Sequence, residues 1–158
     1  MSRQEVRDAV GRMAEFTALL YYHLTKAIIE EYGEAAKPVI QKAIRQFGLE
    51  RGRNIARKVK EDGQELTIAN LDKYYDMPIS QGWGPSADYE GGVKQSRTED
   101  CTFANVWLEK SWAEVGRIYC EVDPAIREGY NPDIEYTPDR NILKGDPFCS
   151  SVTRYKDK

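Results

Sequence analysis

From Val6 onward the apolar positions Val10, Met13, Leu20, Leu24 and Ile28 recur at steps of three, four or seven. That is the stripe of an amphipathic helix with polar residues opposite, and Gly33 supplies its stop. A second helix is predicted from near Glu34, tolerating Pro38 in its first turn. It runs through Ile40, Ile44, Phe47, Ile55 and Val59 to a stop at Gly63. The two helices are expected to pair as an antiparallel hairpin. Gly48 and Gly52 lie on or near one side of the second, each costing about 1 kcal/mol of helix propensity relative to alanine. Either another helix or a ligand approaches closely there, or the helix breaks in two; close packing is the preferred reading.

A shorter helix over 67–75 precedes a Pro- and Gly-rich stretch, 78–92, that reads as a loop. Trp83 and Tyr89 within it either make it a lid over a pocket or tack it to the core. The polar run from Val93 to Cys101 reads as an edge strand. Residues 103–128 read as a helix with Val106, Val115, Ile118, Val122 and Ile126 buried, kinked or restarted at Pro124. Two β-prone pieces, 133–137 and 148–155, flank turn formers around Asp139 and Gly145-Asp146-Pro147 and suit an antiparallel hairpin. The predicted architecture is α+β: a single domain over 1–158, its helical N-terminal half packed against a small antiparallel sheet from the C-terminal half.

Composition changes this picture by exclusion. With 41% hydrophobic and 31% charged residues the chain is too apolar for disorder. Its longest apolar runs, such as Ala18 to Tyr22, fall far short of the roughly 20 residues that span a bilayer, so no membrane is expected as a partner. The charged N-terminus lacks the features of a secretory signal, and a cytoplasmic location is expected. Three cysteines, Cys101, Cys120 and Cys149, read as thiols and not as a disulfide framework. A net charge of -3 gives no pull towards nucleic acid. The basic run from Lys37 to Lys60 reads first as a solvated helix face; it also offers Arg53 or Arg57 to anchor a substrate carboxylate. Homo-oligomerisation suits a small enzyme but follows from no residue in the sequence.

Phosphate-binding loops, dinucleotide fingerprints, serine elbows and His-Glu-x-x-His helices are missing, which leaves thiols, acids and one histidine. Cys120 and Asp123, three apart, share one face of a helix. A nearby carboxylate raises a thiol's pKa, so their roles divide. Either Cys120 is a nucleophile and Asp123 binds a cationic amidine-like group, or Asp123 is a general base and Cys120 packs. The plain alternative is a buried cysteine and a helix cap. Gly145-Asp146-Pro147-Phe148-Cys149 presents a second acid and thiol, Asp146 and Cys149, and Asp100-Cys101 a third pair. None has the paired spacing of structural zinc; a four-ligand zinc site would need His23 to meet all three thiols in space, and neither metal nor cofactor is expected. His23, the single histidine, is either core or the proton-transfer partner of a thiol.

The runs Leu20-Tyr21-Tyr22-His23-Leu24 to Glu31-Tyr32-Gly33, Phe47-Gly48-Leu49-Glu50-Arg51-Gly52 and Ile118-Tyr119-Cys120-Glu121-Val122-Asp123 resemble the L-2-amino-thiazoline-4-carboxylic acid hydrolase family. Gly129-Tyr130-Asn131-Pro132 and the closing Gly145-Asp146-Pro147-Phe148-Cys149 extend the resemblance over nearly the whole chain. The closing pattern is also similar to that of ligand-binding domains of the 4-vinyl-reductase type. The hydrolase resemblance implies a small carboxylate-bearing substrate with a cyclic amidine-like carbon–nitrogen bond, to which water adds before the ring opens towards a carbamoylated cysteine and then cysteine. For that chemistry the sequence offers Cys120 or Cys149 as nucleophile, Asp123 or Asp146 for proton transfer or amidinium binding, His23 as a proton-transfer partner and an arginine as carboxylate anchor; Trp83, Tyr119 and Cys101 are expected around the substrate. The other resemblance implies a small-molecule-binding or sensor module without catalysis.

Overall fold

The structure, a computed structural model, describes residues 2–77 and 86–157. Helix α1 (Arg3–Tyr32) opens with a reciprocal cap in which Ser2 and Glu5 satisfy each other's backbone N–H groups, and closes on Gly33 at φ +69°. A 3-10 turn (Gly33–Ala36) leads into α2 (Lys37–Glu61), with Pro38 in its first turn, where no N–H is needed. After α3 (Ile68–Lys73), capped by Thr67, come strands β1 (Ser86–Glu90) and β2 (Val93–Thr98). Helices α4 (Thr102–Glu109), α5 (Ala113–Tyr119) and α6 (Val122–Tyr130) follow. Strand β3 (Ile134–Arg140), a 3-10 turn (Ile142–Lys144) and β4 (Cys149–Tyr155) complete the chain. The four strands form one antiparallel sheet, ordered β1-β2-β4-β3, so the predicted α+β division is the observed one.

Four details differ from the pattern-based reading. Residues 86–92 are not loop: they form β1 and a two-glycine turn, Gly91-Gly92, with positive φ at both glycines. Strand β2 is therefore interior, paired with β1 on one side and β4 on the other. The single helix expected over 103–128 is three helices, broken at Ser111, which takes φ +54°, and again at Cys120-Glu121. Pro124 causes neither break, because it occupies the first turn of α6. Finally, α1 and α2 do not pair along their lengths: α1 packs on α4, and α2 on α6.

The glycines explain the second contact. A Cβ on Gly52 would meet the Ile126 carbonyl oxygen at 2.2 Å, and one on Gly48 the Cβ of Ala125 at 2.6 Å. From the other side, a Cβ on Gly129 would meet the Leu49 carbonyl oxygen at 2.4 Å. Backbone therefore packs on backbone, and Ile55, Val59, Val122, Ile126 and Tyr130 close around the crossing as one buried cluster. The α1–α4 contact also relies on small residues. Ala14 and Ala18 are fully buried, which lets the Trp107 indole N–H donate to the Ala18 carbonyl at 3.0 Å; the Tyr21 hydroxyl donates to the Val115 carbonyl at 2.8 Å.

This reverses the predicted face of α1. The core side is Ala14, Ala18, Tyr21 and Thr25, while Met13, Phe16, Leu20 and Leu24 stand 61%, 65%, 51% and 54% exposed. The helix thus carries a second apolar stripe that nothing in the chain covers among the described residues.

Gly52→Ala is expected to destabilise the protein by about 2 kcal/mol or more, because its methyl group meets backbone that cannot rotate away. Gly11→Ala has open space within 4 Å and is expected to be neutral or to stabilise by up to about 1 kcal/mol. Urea unfolding of the two variants measures the contrast; a Gly52→Ala protein as stable as the parent would refute the close contact.

Candidate functional site

The inner face of the sheet is unusual in being polar. The antiparallel register puts Lys94, Ser96 and Thr98 of β2 beside Thr153, Ser151 and Cys149 of β4, with Tyr136 and Pro138 of β3 next in line. Opposite this face stand α2, α4, α5 and α6, and between them lies a cavity of about 760 Å³. Its size falls in the range of pockets that enclose drug-sized ligands.

The breaks in the 102–130 region bring the thiols to this cavity. Cys101 precedes α4, Cys120 sits in the turn between α5 and α6, and Cys149 begins β4; all three line the cavity, as does Asp123. The Asn141 side-chain amide donates to the Cys120 sulfur at 3.6 Å, and the Ile142 backbone N–H to the Cys149 sulfur at 3.4 Å. Burial pushes the Cys120 thiol up to about 12, and the charge on Asp123 adds to it. Burial likewise takes Cys101 up to about 11 and raises Cys149. At neutral pH these groups are thiols, which weakens the reading of Cys120 as a ready thiolate nucleophile.

Asp123 and Arg127, one helical turn apart on α6, form an ion pair at 3.0 Å on the cavity wall. Arg127 is 8% exposed, with its guanidinium over the Tyr136 ring at 4.7 Å. One nitrogen reaches Asp123, but the buried Nε has no hydrogen-bond partner among the described residues. Burial works against this cation, and the neighbouring Tyr75, Asp123 and Tyr136 outweigh it, so its pKa is raised. Arg51 of α2 enters from another side, held by Asp76 through two hydrogen bonds of 2.8 and 2.6 Å and lying over Tyr75. Burial keeps the phenols protonated: it raises Tyr136 and takes Tyr119 up to about 12. Tyr119 stacks on Phe103 at 5.1 Å, and both line the cavity beside Trp107.

Not every expected site residue reaches this place. Arg53 and Arg57 do not line the cavity; both are exposed, because the phase that turns Gly48, Gly52, Ile55 and Val59 inward turns them out. The arginines that line the cavity are Arg51, Arg117, Arg127 and Arg140. Asp146 is not at the cavity wall either: its carboxylate accepts the Asn141 backbone N–H at 2.8 Å and holds the turn that presents Asn141 to Cys120. His23 is exposed on α1, edge-on to Tyr22, and is not among the cavity-lining residues. It meets none of the thiols, and no group of three or more metal-ligating side chains occurs among the described residues. Trp83 lies outside the described residues. Tyr89 belongs to β1, where its hydroxyl and the Lys94 ammonium both bind Asp72 of α3. Asp-x-x-x-Arg on a helix was the available signal for Asp123 and Arg127; Arg51, Asn141 and Tyr136 carried none.

Residues 12–152 match the model of the L-2-amino-thiazoline-4-carboxylic acid hydrolase family. The chain belongs to that family. The match spans the glycine contact, all three thiols and the Asp123–Arg127 pair, so the hydrolase family's region and the cavity's walls coincide. No curated protein matches the chain. Among solved structures 11 chains match. One is a trafficking protein particle complex subunit 3 from Naegleria fowleri, covalently bound to palmitic acid, at 13% identity, covering 91% of this chain and 95% of that one with a TM-score of 0.55. At that identity the likeness to this hydrolase-family member is one of fold. No helix among the described residues is long and apolar enough to cross a membrane.

The raised thiols make a direct test. Native protein at neutral pH is expected to react with iodoacetamide far more slowly than urea-unfolded protein. Cys120 should gain reactivity as pH approaches 12, since the thiolate is the attacking form. Asp123→Asn removes one charge that opposes the thiolate and should speed Cys120 modification several-fold. Peptide mapping that finds Cys120 alkylated in neutral native protein as fast as a free thiol would contradict the assignment.

Proposed function

We propose that the chain is a hydrolase of small carboxylate-bearing substrates with a cyclic amidine-like carbon–nitrogen bond, of which L-2-amino-thiazoline-4-carboxylate is the natural first candidate. The observation that carries this reading is the Asp123–Arg127 pair on the cavity wall, with the buried Arg127 Nε unpartnered among the described residues. An amidinium carboxylate is a small zwitterion, and a fixed acid and base side by side match both of its charges. The carboxylate takes the Arg127 guanidinium, replacing missing hydrogen bonds, and the amidinium faces Asp123.

Asp123 is then the general base. Water adds across the carbon–nitrogen bond of the amidine: its oxygen bonds to the carbon between sulfur and nitrogen, and the proton taken by Asp123 passes to the ring nitrogen. Collapse of the tetrahedral carbon forms the carbonyl, breaks the carbon–sulfur bond and returns a proton to sulfur, giving N-carbamoylcysteine. A second water cleaving the carbamoyl carbon–nitrogen bond releases cysteine, carbon dioxide and ammonia. Cys120 forms wall and not nucleophile in this scheme, consistent with its raised pKa. The protonated Tyr119 and Tyr136 are available to donate to the developing charge.

Free-thiol release from L-2-amino-thiazoline-4-carboxylate measures the ring opening. The wild-type chain is expected to turn over, Asp123→Asn to lose about 10² to 10⁴-fold in kcat, Arg127→Gln to raise KM, and Cys120→Ser to retain activity within tenfold. Binding of the substrate with no thiol release would instead support the non-catalytic, 4-vinyl-reductase-like reading.

A further inference from the structure

The cavity is several times larger than an amino-thiazoline ring acid requires, and it holds a second buried guanidinium atom without a partner. Arg117, on α5, lines it, and its Nε is buried and unbonded among the described residues. The acid one turn earlier, Glu114, is taken: it receives the Lys37 ammonium at 2.6 Å. Lys144 lines the cavity as well. A buried guanidinium nitrogen without an acceptor is unfavourable unless a ligand supplies one.

We propose that Arg117 is a second anion-binding position in the same cavity, so that besides a small monocarboxylate the cavity takes larger acids with two anionic groups, one on Arg127 and one on Arg117. This rests on reading the cavity as a substrate site anchored by Arg127. Phe103, Trp107 and Tyr119 also line the cavity and offer apolar wall for the carbon chain that joins the two groups. Calorimetric titration of the full chain with the linear dicarboxylates from glutarate to suberate, each against the monocarboxylate of equal carbon number, tests it.

At least one dicarboxylate is expected to bind tenfold tighter than its monocarboxylate. Arg117→Gln, at a half-buried position, should reduce that preference to within twofold and leave monocarboxylate affinity unchanged. No dicarboxylate preference, or one that survives Arg117→Gln in a protein with wild-type circular dichroism, would overturn the second position. Monocarboxylate binding that is indifferent to Arg127→Gln would count against the Arg127 anchor alone.

Met13, Phe16, Leu20, Leu24 and Ile28 are exposed along one side of α1 at steps of three and four, over about 22 Å of helix. We infer that this stripe pairs with the stripe of a second copy in an antiparallel, two-fold arrangement. With Leu20 opposite its own copy, Phe16 faces Leu24 of the other chain, and large side chains meet along the whole seam. On the flank, Arg12 of each chain falls beside Glu30 of the other, whereas parallel pairing would set Glu30 and Glu31 against their own copies.

Sedimentation equilibrium is expected to give twice the 18.1 kDa chain mass. Leu20→Glu should weaken the dimer at least 100-fold without altering the monomer's circular dichroism. Arg12→Glu should weaken it less, and Arg12→Glu with Glu30→Arg should restore it. A monomeric wild-type protein at its solubility limit, or a dimer indifferent to Leu20→Glu, would overturn the self-pairing.

Discussion

The crossing of α2 on α6 fixes most of what this protein can do. Gly48 and Gly52 let the backbone of α6 come within van der Waals contact of α2, and Gly129 does the same in return. That contact sets the height and rotation of α6, and so where Asp123 and Arg127 stand relative to the sheet. It also places Arg51, which follows Gly48 by three residues, on the cavity side of α2. The helix-propensity cost of two interior glycines, about 1 kcal/mol each, is offset by the apolar cluster that closes around them.

The remaining constraint is electrostatic. A sheet face of Lys94, Ser96, Thr98 and Ser151 cannot pack as core, and the chain leaves a cavity there instead of burying it. Within the cavity, burial acts in opposite directions on different groups. It keeps thiols and phenols protonated, while the Asp123 carboxylate one turn away keeps Arg127 charged. The result is the Asp123–Arg127 ion pair on the wall, protonated thiols and phenols near it, and two buried guanidinium nitrogens without an acceptor among the described residues. Such an arrangement suits binding a small charged molecule and moving protons at an acid.

Much of the fold was legible because it follows from local rules: the caps at Gly33 and Gly63, Pro38 in a first turn, the close approach at Gly48 and Gly52. The failures share a physical cause. On α1 the larger apolar residues lie outside, and the core side is alanine and threonine, so hydrophobicity alone chose the wrong face. Strand β2 alternates polar residues inward because it lines a cavity, which conceals the period-two signal. Residues 102–130 have helical periodicity throughout, and the breaks at Ser111 and Cys120 fall at positions with neither glycine nor proline to announce them. At the site, Cys120, Asp123 and Tyr119 could be named from spacing and resemblance. Arg51, Asn141 and Tyr136 could not, because only the tertiary fold brings them to the cavity.

A crystal structure of the Asp123→Asn protein soaked with L-2-amino-thiazoline-4-carboxylate would show whether Arg127 and residue 123 hold the substrate. The ligand carboxylate is expected on the Arg127 guanidinium, with its amidine carbon facing residue 123 and no bond to Cys120. A ligand bound away from Arg127, or joined to the Cys120 sulfur, would contradict the proposed mechanism.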